Sequence, residues 1–347
     1  MSPFLTSRAP WVFYPVQQAS LFPSGVHSMS NYHVAVFGGG SVGLCLAASF
    51  ATAGARVSLL VRHSSVEALS ESAIEVSGLL GAHSIPLKAI TICDAAKPTE
   101  DVLKSDMLVL TTKAYDVATA LKPFAAQRSC PAVLLLQNGM GSEEIARDVL
   151  GPDIPVYSSA MMIGMVRHAP AQVEVTAQSS PIFCGPLLSD DTGPLKRLMQ
   201  IAERGFVPMA LDDSIRDTIS FKLLFNSCMN PTGAITKQSY GQLLKNTHSR
   251  DLIIGLADET LAVFADAYDY RPAKNGKHYV DEVLSSIIFP RAQGHHSSML
   301  QDLKAGRRTE IDFLNGAISR LSSRVGLSAI RHDYIIQLIK ACEPSNL

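Results

Sequence analysis

One stretch of the chain places a lysine and two asparagines at helical spacing. Lys222, Asn226 and Asn230 are each four residues apart, so a helix would present them as one polar stripe. The residues between them are mostly apolar, which indicates a helix that is buried on its other faces. Burying a lysine and two amides is costly unless each finds a partner. A ligand with a carboxylate and a carbonyl would supply those partners. The alternative is a polar stripe that is hydrated at the boundary between two domains.

A second chemical signal lies near the start, where a β-branched run enters a glycine-rich turn and an Ala- and Leu-rich run leaves it. Gly38, Gly40 and Gly43 fit the pattern G-x-G-x-x-G, with a predicted strand before it and a predicted helix after it. In that context the backbone approaches a pyrophosphate, and the helix N-terminus faces it. The sequence therefore predicts a dinucleotide site formed by Gly38, Gly39, Gly40, Ser41, Val42 and Gly43.

The strand after this helix indicates which dinucleotide is bound. NAD sites usually carry an acid about 20 residues past the glycines, where it binds the ribose 2′-hydroxyl. Here Arg62 directly follows the strand Arg56–Val61, and the next acidic residue is Glu67. A guanidinium suits a 2′-phosphate, so we predict NADPH as the cofactor. The other interpretation of Arg62 is a solvated loop cation.

Two more polar residues follow predicted buried strands. Lys113 comes after the apolar run 106–112, and Asn138 comes after the run 132–136. Because ligands of doubly wound sheets lie outside the carboxyl ends of the strands, we expect both side chains beside the cofactor. Lys113 is otherwise an ordinary solvated lysine, and Asn138 with the glycine after it is otherwise a turn.

These residues need a sheet and a set of helices to position them. Apolar strands alternate with helices in the first half, which predicts an α/β Rossmann-type domain with a parallel sheet. From about residue 192 the pattern is helical, and the helix 213–230 is expected to stop at Pro231. We therefore predict a disordered extension at 1–30, an NADP-binding domain at 31–190 and an all-α substrate and catalytic domain at 191–347, with a cleft between the two domains.

Composition excludes several function classes. The chain is 47% hydrophobic and 18% charged with a net charge of −1, so it has no basic field for nucleic acid. No apolar run reaches the roughly 18 residues of a membrane-spanning helix. Six scattered cysteines without a C-x-x-C pair indicate reduced thiols, and His295 and His296 have no partner at metal spacing, so no metal site is predicted. We expect a cytoplasmic protein, or a mitochondrial one if 1–30 is a transit peptide, with homodimerisation left open.

A third stretch combines helix-start signals with an acid. Ser298 and Gln301 fit a capping box, and Thr309 and Asp312 resemble one. Capping alone would account for Ser298, and a first-turn acid at the helix dipole would account for Glu310.

Together these pieces resemble the ketopantoate reductase (2-dehydropantoate 2-reductase) family over about residues 32–341. The resemblance is carried by the glycine loop, Arg62, 112–114, 137–141, the Lys222 helix, 297–302 and 309–316. The last block, which ends in Asn315 and Gly316, is the most diagnostic. The resemblance implies NADPH-dependent reduction of the C2 ketone of 2-dehydropantoate to pantoate, a step towards vitamin B5 and coenzyme A.

The resemblance also implies a role for each matching residue. Besides the glycine loop, the implied cofactor ligands are Arg62, Lys113, Asn138 and Glu310. The implied substrate ligands are Asn138, Lys222, Asn226, Asn230 and Ser298. Lys222 would be the general acid and Glu310 a catalytic closure residue. A buried lysine would stabilise negative charge on the ketone oxygen and then protonate it, and desolvation would lower its pKa from about 10.4.

Two positions depart from the family pattern. Tyr240 and His295 stand where asparagines are expected. Both residues would reshape the substrate pocket, so an NADPH-dependent reductase of another branched 2-oxo acid is the alternative function. A non-catalytic NADPH-binding sensor is a more remote one.

Overall fold

The computed structural model describes residues 31–69, 73–125, 130–288 and 292–344, with the backbone alone at 286–288. The predicted extension at 1–30 lies outside these residues. The chain divides into two compact units. The α/β unit contains the described residues of 31–137 and 142–216, and the helical unit contains those of 138–141 and 217–344. The α/β unit thus extends past residue 190, to Arg216.

The α/β unit contains twelve described strands and six short or medium helices. Its strands are β1 (His33–Phe37), β2 (Arg56–Val61), β3 (Ala73–Gly78), β4 (His83–Pro86), β5 (Ile90–Asp94), β6 (Met107–Leu110), β7 (Ala132–Leu135), β8 (Val156–Ala160), β9 (Ile163–Ala169), β10 (Gln172–Gln178), β11 (Ile182–Pro186) and β12 (Met209–Leu211). Its helices are α1 (Ser41–Thr52), α2 (His63–Val66), α3 (Glu100–Leu103), α4 (Val117–Ala125), α5 (Ser142–Leu150) and α6 (Gly193–Ala202). Short 3₁₀ turns lie at Glu67–Leu69, Leu87–Ala89 and Ala114–Asp116.

The main sheet has eight strands in the order β12-β11-β8-β7-β6-β1-β2-β5. Neighbouring strands from β5 across to β8 are parallel, whereas β11 is antiparallel to β8. Val34 and Val36 of β1 pack in the core that contains α1 and α6, and Ala35 and Phe37 pack in the core that contains α4 and α5. Burial of both faces explains why the strands are continuously apolar. The predicted fold class is confirmed.

A second sheet, which the sequence does not predict, has four strands in the order β4-β3-β10-β9. β10 is an inner strand that pairs parallel with β3 and antiparallel with β9. The buried residues Ile74, Val76, Val173 and Val175 of this sheet belong to the same hydrophobic core as α1. The helix that follows the glycine loop is therefore packed against both sheets.

The helical unit surrounds one long buried helix. Its elements are α7 (Ile215–Thr236), α8 (Tyr240–Lys245), α9 (Thr247–Tyr268), α10 (Gly276–His278), a π-helix (Tyr279–Ile288), α11 (Ser298–Lys304), a 3₁₀ turn (Ile311–Phe313), α12 (Asn315–Arg324) and α13 (Ile330–Cys342). Every residue of α7 from 218 to 234 is buried. A helix enclosed on all sides must satisfy each of its polar groups within the protein.

Two sequence expectations concern the whole chain. Among the described residues, no helix combines the length and the apolar character that a membrane crossing requires. All six cysteines fall within the described ranges and are free thiols.

The predicted stop at Pro231 is wrong, because α7 continues through this proline to Thr236. A proline inside a helix has no N–H for the carbonyl four residues earlier, which here belongs to Ser227. The side-chain amide of Asn315 donates to that carbonyl at 2.9 Å, from a position 88 residues further along the chain. The same Nδ2 atom lies 3.0 Å from Nδ1 of the buried His332. A distant side chain thus replaces the donor that the proline lacks.

We expect Asn315→Ala to lower the free energy of unfolding by about 1–3 kcal/mol, because it leaves the buried Ser227 carbonyl without a donor. The loss should be smaller in a Pro231→Ala background, whose backbone N–H can donate to the same carbonyl. Chemical denaturation of the four proteins of this double-mutant cycle measures the difference. Equal losses in the two backgrounds would show that Asn315 does not compensate for the proline.

Candidate active site

The glycine loop connects β1 to α1 in the α/β unit. Gly38 has a φ of +126°, which side chains disfavour, and its N–H donates to the Leu60 carbonyl at 2.9 Å. A Cβ on Gly43 would lie 1.8 Å from the Gly38 carbonyl oxygen. Only glycine therefore lets the first turn of α1 pack this closely on the end of β1.

The space beside Gly40 is open. A Cβ built on Gly40 meets no atom within 4 Å among the described residues. Gly40 is the N-cap of α1 without any side-chain cap, and the first turn, which includes Ser41 and Val42, carries no acidic residue. The positive end of the helix dipole and its free N–H groups thus face an open space, which suits a pyrophosphate. The residues present fit the diphosphate of a dinucleotide.

Thr111, directly after β6, ties this strand to the glycine loop. Its hydroxyl donates to the Phe37 carbonyl at 3.0 Å and lies 3.2 Å from the Gly38 carbonyl. Lys113, two residues further on, is half-buried where the chain leaves the sheet. Sequence reasoning missed Thr111, although a hydroxyl at the end of a buried apolar run was a signal for such a contact.

Gln137, just past β7, spans the ends of two strands. Its side-chain nitrogen donates to the carbonyls of Leu110 and Thr112 at 3.0 Å each. Its Oε1 atom and the Thr112 hydroxyl are buried without a hydrogen-bond partner within the described part of the chain. Unpaired buried polar atoms are costly, so a ligand with donor and acceptor groups would stabilise this edge of the sheet. Sequence reasoning assigned Gln137 no role of its own.

Arg62 follows β2 and is exposed, and no ion pair involves it within the described residues. One acid lies at the neighbouring strand end, since Asp94 is in register with Val61. Its carboxylate already accepts from the Ala96 N–H at 2.9 Å and from His63 Nδ1 at 3.0 Å. These contacts, the first above all, lower the pKa of Asp94. Among the described residues at this strand end, Asp94 already has partners, whereas the guanidinium of Arg62 has none.

The polar stripe of α7 is buried in the helical unit. Lys222, Asn226 and Asn230 are only 7%, 8% and 4% exposed, and Glu310 is 6% exposed. Burial lowers the pKa of Lys222 to about 8, and the negative charge of Glu310 opposes this by raising it. A buried carboxylate thus accompanies the buried ammonium, and it comes from a different segment of the chain.

Asn138 joins this pair. Its Nδ2 atom donates to Glu310 Oε2 at 3.2 Å. The backbone holds the contact in place, because the Met140 N–H donates to the Phe313 carbonyl at 3.0 Å in the turn after Glu310. The structure therefore brings Asn138, Glu310 and Lys222 together in one polar cluster of the helical unit.

The capping box expected from Thr309 and Asp312 is not formed, because the Thr309 N–H donates to Glu343 Oε1 at 2.8 Å and not to the Asp312 side chain. Glu310 precedes the 3₁₀ turn but its side chain makes no cap hydrogen bond there. The Thr309 hydroxyl accepts from the Ile311 N–H at 3.3 Å and donates to Glu343 Oε1 at 2.6 Å. Glu310 thus lies at the start of this turn, while its side chain accepts from Asn138 and raises the pKa of Lys222.

The capping-box interpretation of Ser298 is also wrong, because Ser297 is the residue that caps α11. The Ser297 hydroxyl accepts from the Leu300 N–H at 3.2 Å and donates to the Asn230 carbonyl at 3.1 Å. Ser298 is the first helical residue and its side chain is exposed. Its hydroxyl is not used in capping, which leaves it available to a ligand.

Tyr240 is hydrogen-bonded to Asn230 of the polar stripe. Its hydroxyl donates to Asn230 Oδ1 at 2.9 Å, and burial raises its pKa, so it stays a neutral donor. The ring contacts Phe225 edge-on and lies against the His295 ring, whose backbone carbonyl accepts from the Tyr240 N–H at 3.0 Å. The Tyr240 hydroxyl uses one of the two acceptor sites of the Asn230 amide oxygen, and the NH₂ group of the same amide offers donors to a ligand.

Known proteins are similar to this chain over both the glycine-loop region and the region of the α7 stripe. Residues 34–188 match the family described as ketopantoate reductase PanE/ApbA, and residues 214–343 match its C-terminal region. The 2-dehydropantoate 2-reductase of Aquifex aeolicus (strain VF5) is 29% identical over 316 residues, which cover 90% of this chain and 97% of that protein.

Solved structures with a similar fold include a dehydrogenase and a reductase. D-mandelate dehydrogenase, in a ternary structure with NADH and anilino(oxo)acetate, has a TM-score of 0.78 at 22% identity, covering 89% of this chain and 98% of that chain. A PanE/ApbA family ketopantoate reductase from Ralstonia eutropha JMP134 has a TM-score of 0.74 at 24% identity, with the same coverage of 89% and 98%. These likenesses show the fold.

The family matches extend over both the glycine-loop region and the region that holds Lys222 and Glu310. The chain therefore belongs to the ketopantoate reductase family and is an oxidoreductase.

Proposed function

We propose that this protein reduces the C2 ketone of 2-dehydropantoate to pantoate with NADPH, a step towards pantothenate and coenzyme A. The observation that carries the proposal is the buried Lys222, whose pKa is about 8 and whose charge is accompanied by Glu310. The family membership and the 2-dehydropantoate 2-reductases among its relatives support this substrate.

Lys222 has the properties of the required proton donor. NADPH, when bound, would supply a hydride to the ketone carbon, which leaves negative charge on the ketone oxygen. An ammonium at that oxygen stabilises the charge and then donates the proton. A pKa of about 8 keeps Lys222 mostly protonated near neutral pH and makes it a stronger acid than an ordinary lysine.

The neighbours of Lys222 would orient the substrate and keep Lys222 protonated. Glu310 raises the pKa of the lysine, and Asn138 donates to the carboxylate. The Asn230 amide, together with Asn226 on the previous turn, offers N–H donors to the carboxylate and carbonyl of a 2-oxo acid. We assign the exposed hydroxyl of Ser298 to the same substrate.

The preference for NADPH rests on Arg62. The side chain is exposed beside β2, and the acid at the adjacent strand end, Asp94, already accepts two hydrogen bonds. A ribose 2′-hydroxyl would need such an acceptor, whereas a 2′-phosphate pairs with a guanidinium. Lys113 and the unpaired atoms of Gln137 and Thr112 would face the rest of the cofactor.

Lys222→Ala should lower kcat by about 10²- to 10⁴-fold, because it removes the proton donor, and should leave NADPH dissociation nearly unchanged. Asn230→Ala should act mainly on the KM of the oxo acid, since an amide orients the substrate but does not release a full proton. Steady-state kinetics and a fluorescence titration with NADPH measure both effects. A near-normal kcat in Lys222→Ala would mean that the proton comes from another group.

The reductase rate should fall as the pH rises above about 8, because Lys222 must carry its proton to act and its pKa has this value. Glu310→Gln removes the charge that raises this pKa, so the alkaline limb should move to lower pH. Asp312→Asn removes a carboxylate two residues away that pairs with Arg308 and Lys340, and it serves as the control. An alkaline limb at the same pH in Glu310→Gln would contradict the proposed coupling.

A second candidate function, reduction of another branched 2-oxo acid, is favoured by Tyr240. Its hydroxyl uses one of the two acceptor sites of Asn230 Oδ1, which lowers the capacity of this oxygen to accept from the hydroxyl group of 2-dehydropantoate. The Tyr240 ring packs against the rings of Phe225 and His295, and these aromatic surroundings suit an apolar side chain of a substrate. A pair of substrates separates the candidates, because 3,3-dimethyl-2-oxobutanoate differs from 2-dehydropantoate only in lacking that hydroxyl.

Tyr240→Phe should raise the ratio of kcat/KM for 2-dehydropantoate over 3,3-dimethyl-2-oxobutanoate by about 2- to 10-fold, because it frees an acceptor site of the Asn230 oxygen. Tyr157→Phe is the matched control, since that hydroxyl donates to a backbone carbonyl in the α/β unit. In the wild type, a ratio far above one identifies 2-dehydropantoate as the substrate, and a ratio near or below one identifies the second candidate. An unchanged ratio in Tyr240→Phe would show that this tyrosine does not select the substrate.

A further inference from the structure

The glycine loop has a cationic neighbour that its sequence pattern does not contain. Arg167 lies on β9 of the second sheet, and its Nη1 atom donates to the Gly39 carbonyl at 2.7 Å. The contact joins residues 128 positions apart, within the α/β unit. The second sheet therefore delivers a guanidinium to the loop that precedes α1.

The position of Arg167 follows from the packing of β9. Met165, two residues earlier, is partly buried against the core that contains α1. Side chains two apart in a strand point to the same face, so Arg167 extends from the α1 side of the second sheet. At this end of β9 the side chain passes beyond the core and reaches the loop, and it is exposed.

We propose that Arg167 binds the pyrophosphate of the nicotinamide cofactor. A guanidinium has five N–H donors, and the bond to Gly39 uses one of its two terminal nitrogens, which leaves donors for phosphate oxygens. The loop and the first turn of α1 contain no charged side chain, so they offer a diphosphate only N–H groups and the helix dipole. The dipole amounts to about half a unit charge, which is less than a diphosphate carries. Within the described residues, no ion pair engages Arg167.

This inference rests on the proposed function only in placing a dinucleotide at the glycine loop. It assigns Arg167 a different part of the cofactor from Arg62, which is expected at the 2′-phosphate. The diphosphate is common to NADPH, NADH and ADP, whereas the 2′-phosphate is common to NADPH and adenosine 2′-monophosphate. The two arginines should therefore affect different sets of ligands.

The experiment measures dissociation constants of these four ligands by calorimetry for the wild type, Arg167→Gln and Arg62→Ala. Arg167→Gln should weaken the binding of NADPH, NADH and ADP by roughly 10- to 100-fold, because these three ligands contain a diphosphate. The dissociation constant of adenosine 2′-monophosphate, which has no diphosphate, should not change. Arg62→Ala should weaken the binding of NADPH and adenosine 2′-monophosphate and leave the binding of NADH and ADP unchanged. His168→Gln alters the adjacent residue of β9, which pairs with Glu174, and should change none of the four.

A thermal melt of each variant and the variant Arg167→Lys complete the design. Lysine keeps the charge, so it should recover part of the affinity for the three diphosphates, which a purely structural role of the arginine would not explain. The proposal is overturned if Arg167→Gln binds all three diphosphates as tightly as the wild type, or if it weakens adenosine 2′-monophosphate to the same extent. Failure of the wild type to bind NADPH, NADH and ADP would instead reject the dinucleotide site and with it the proposed function.

Discussion

The helical unit encloses one ammonium group, that of Lys222, and its burial constrains the residues around it. Removing a charge from water costs several kcal/mol, and for Lys222 the cost is visible as a pKa lowered to about 8. Glu310 compensates part of it, and the carboxylate is itself stabilised by the amide of Asn138. These three residues come from α7, from the turn after α11 and from the loop after β7. The cluster therefore links three segments that are far apart in the chain.

The same helix shows where local sequence rules end. Spacing alone predicts that Lys222, Asn226 and Asn230 share one side of a helix, because the helical period is a local property. The extent of the helix was predicted wrongly, since the effect of Pro231 depends on a donor from Asn315 that only the folded chain supplies. The local pattern around Glu310, which resembles a helix start, likewise did not pair it with Lys222, and only the family resemblance assigned both residues to one site.

Similar reasoning applies to the α/β unit. The glycine loop was predictable because its requirements are steric and act within a few residues, as the contact between Gly43 and the Gly38 carbonyl shows. The second sheet was not, because its inner pairing joins β3 to β10 across a long stretch of the main sheet. The roles of Ser297 and Ser298 were exchanged for a simpler reason. Two adjacent serines fit the same capping pattern, and only the bond of Ser297 to Leu300 decides between them.

The two units treat positive charge differently, and the difference matches the chemistry proposed for each. Arg62 and Arg167 are exposed guanidiniums, which suit phosphates that bind and leave in every cycle. Lys222 is an ammonium closed off from solvent, so its charge is little screened by salt, and its pKa is lowered by burial and partly restored by Glu310. A residue that must give up a proton needs a pKa near the working pH, which an exposed lysine or an arginine does not have. Burial of Lys222 is therefore a requirement of its proposed role, and the cluster around it is what makes that burial tolerable.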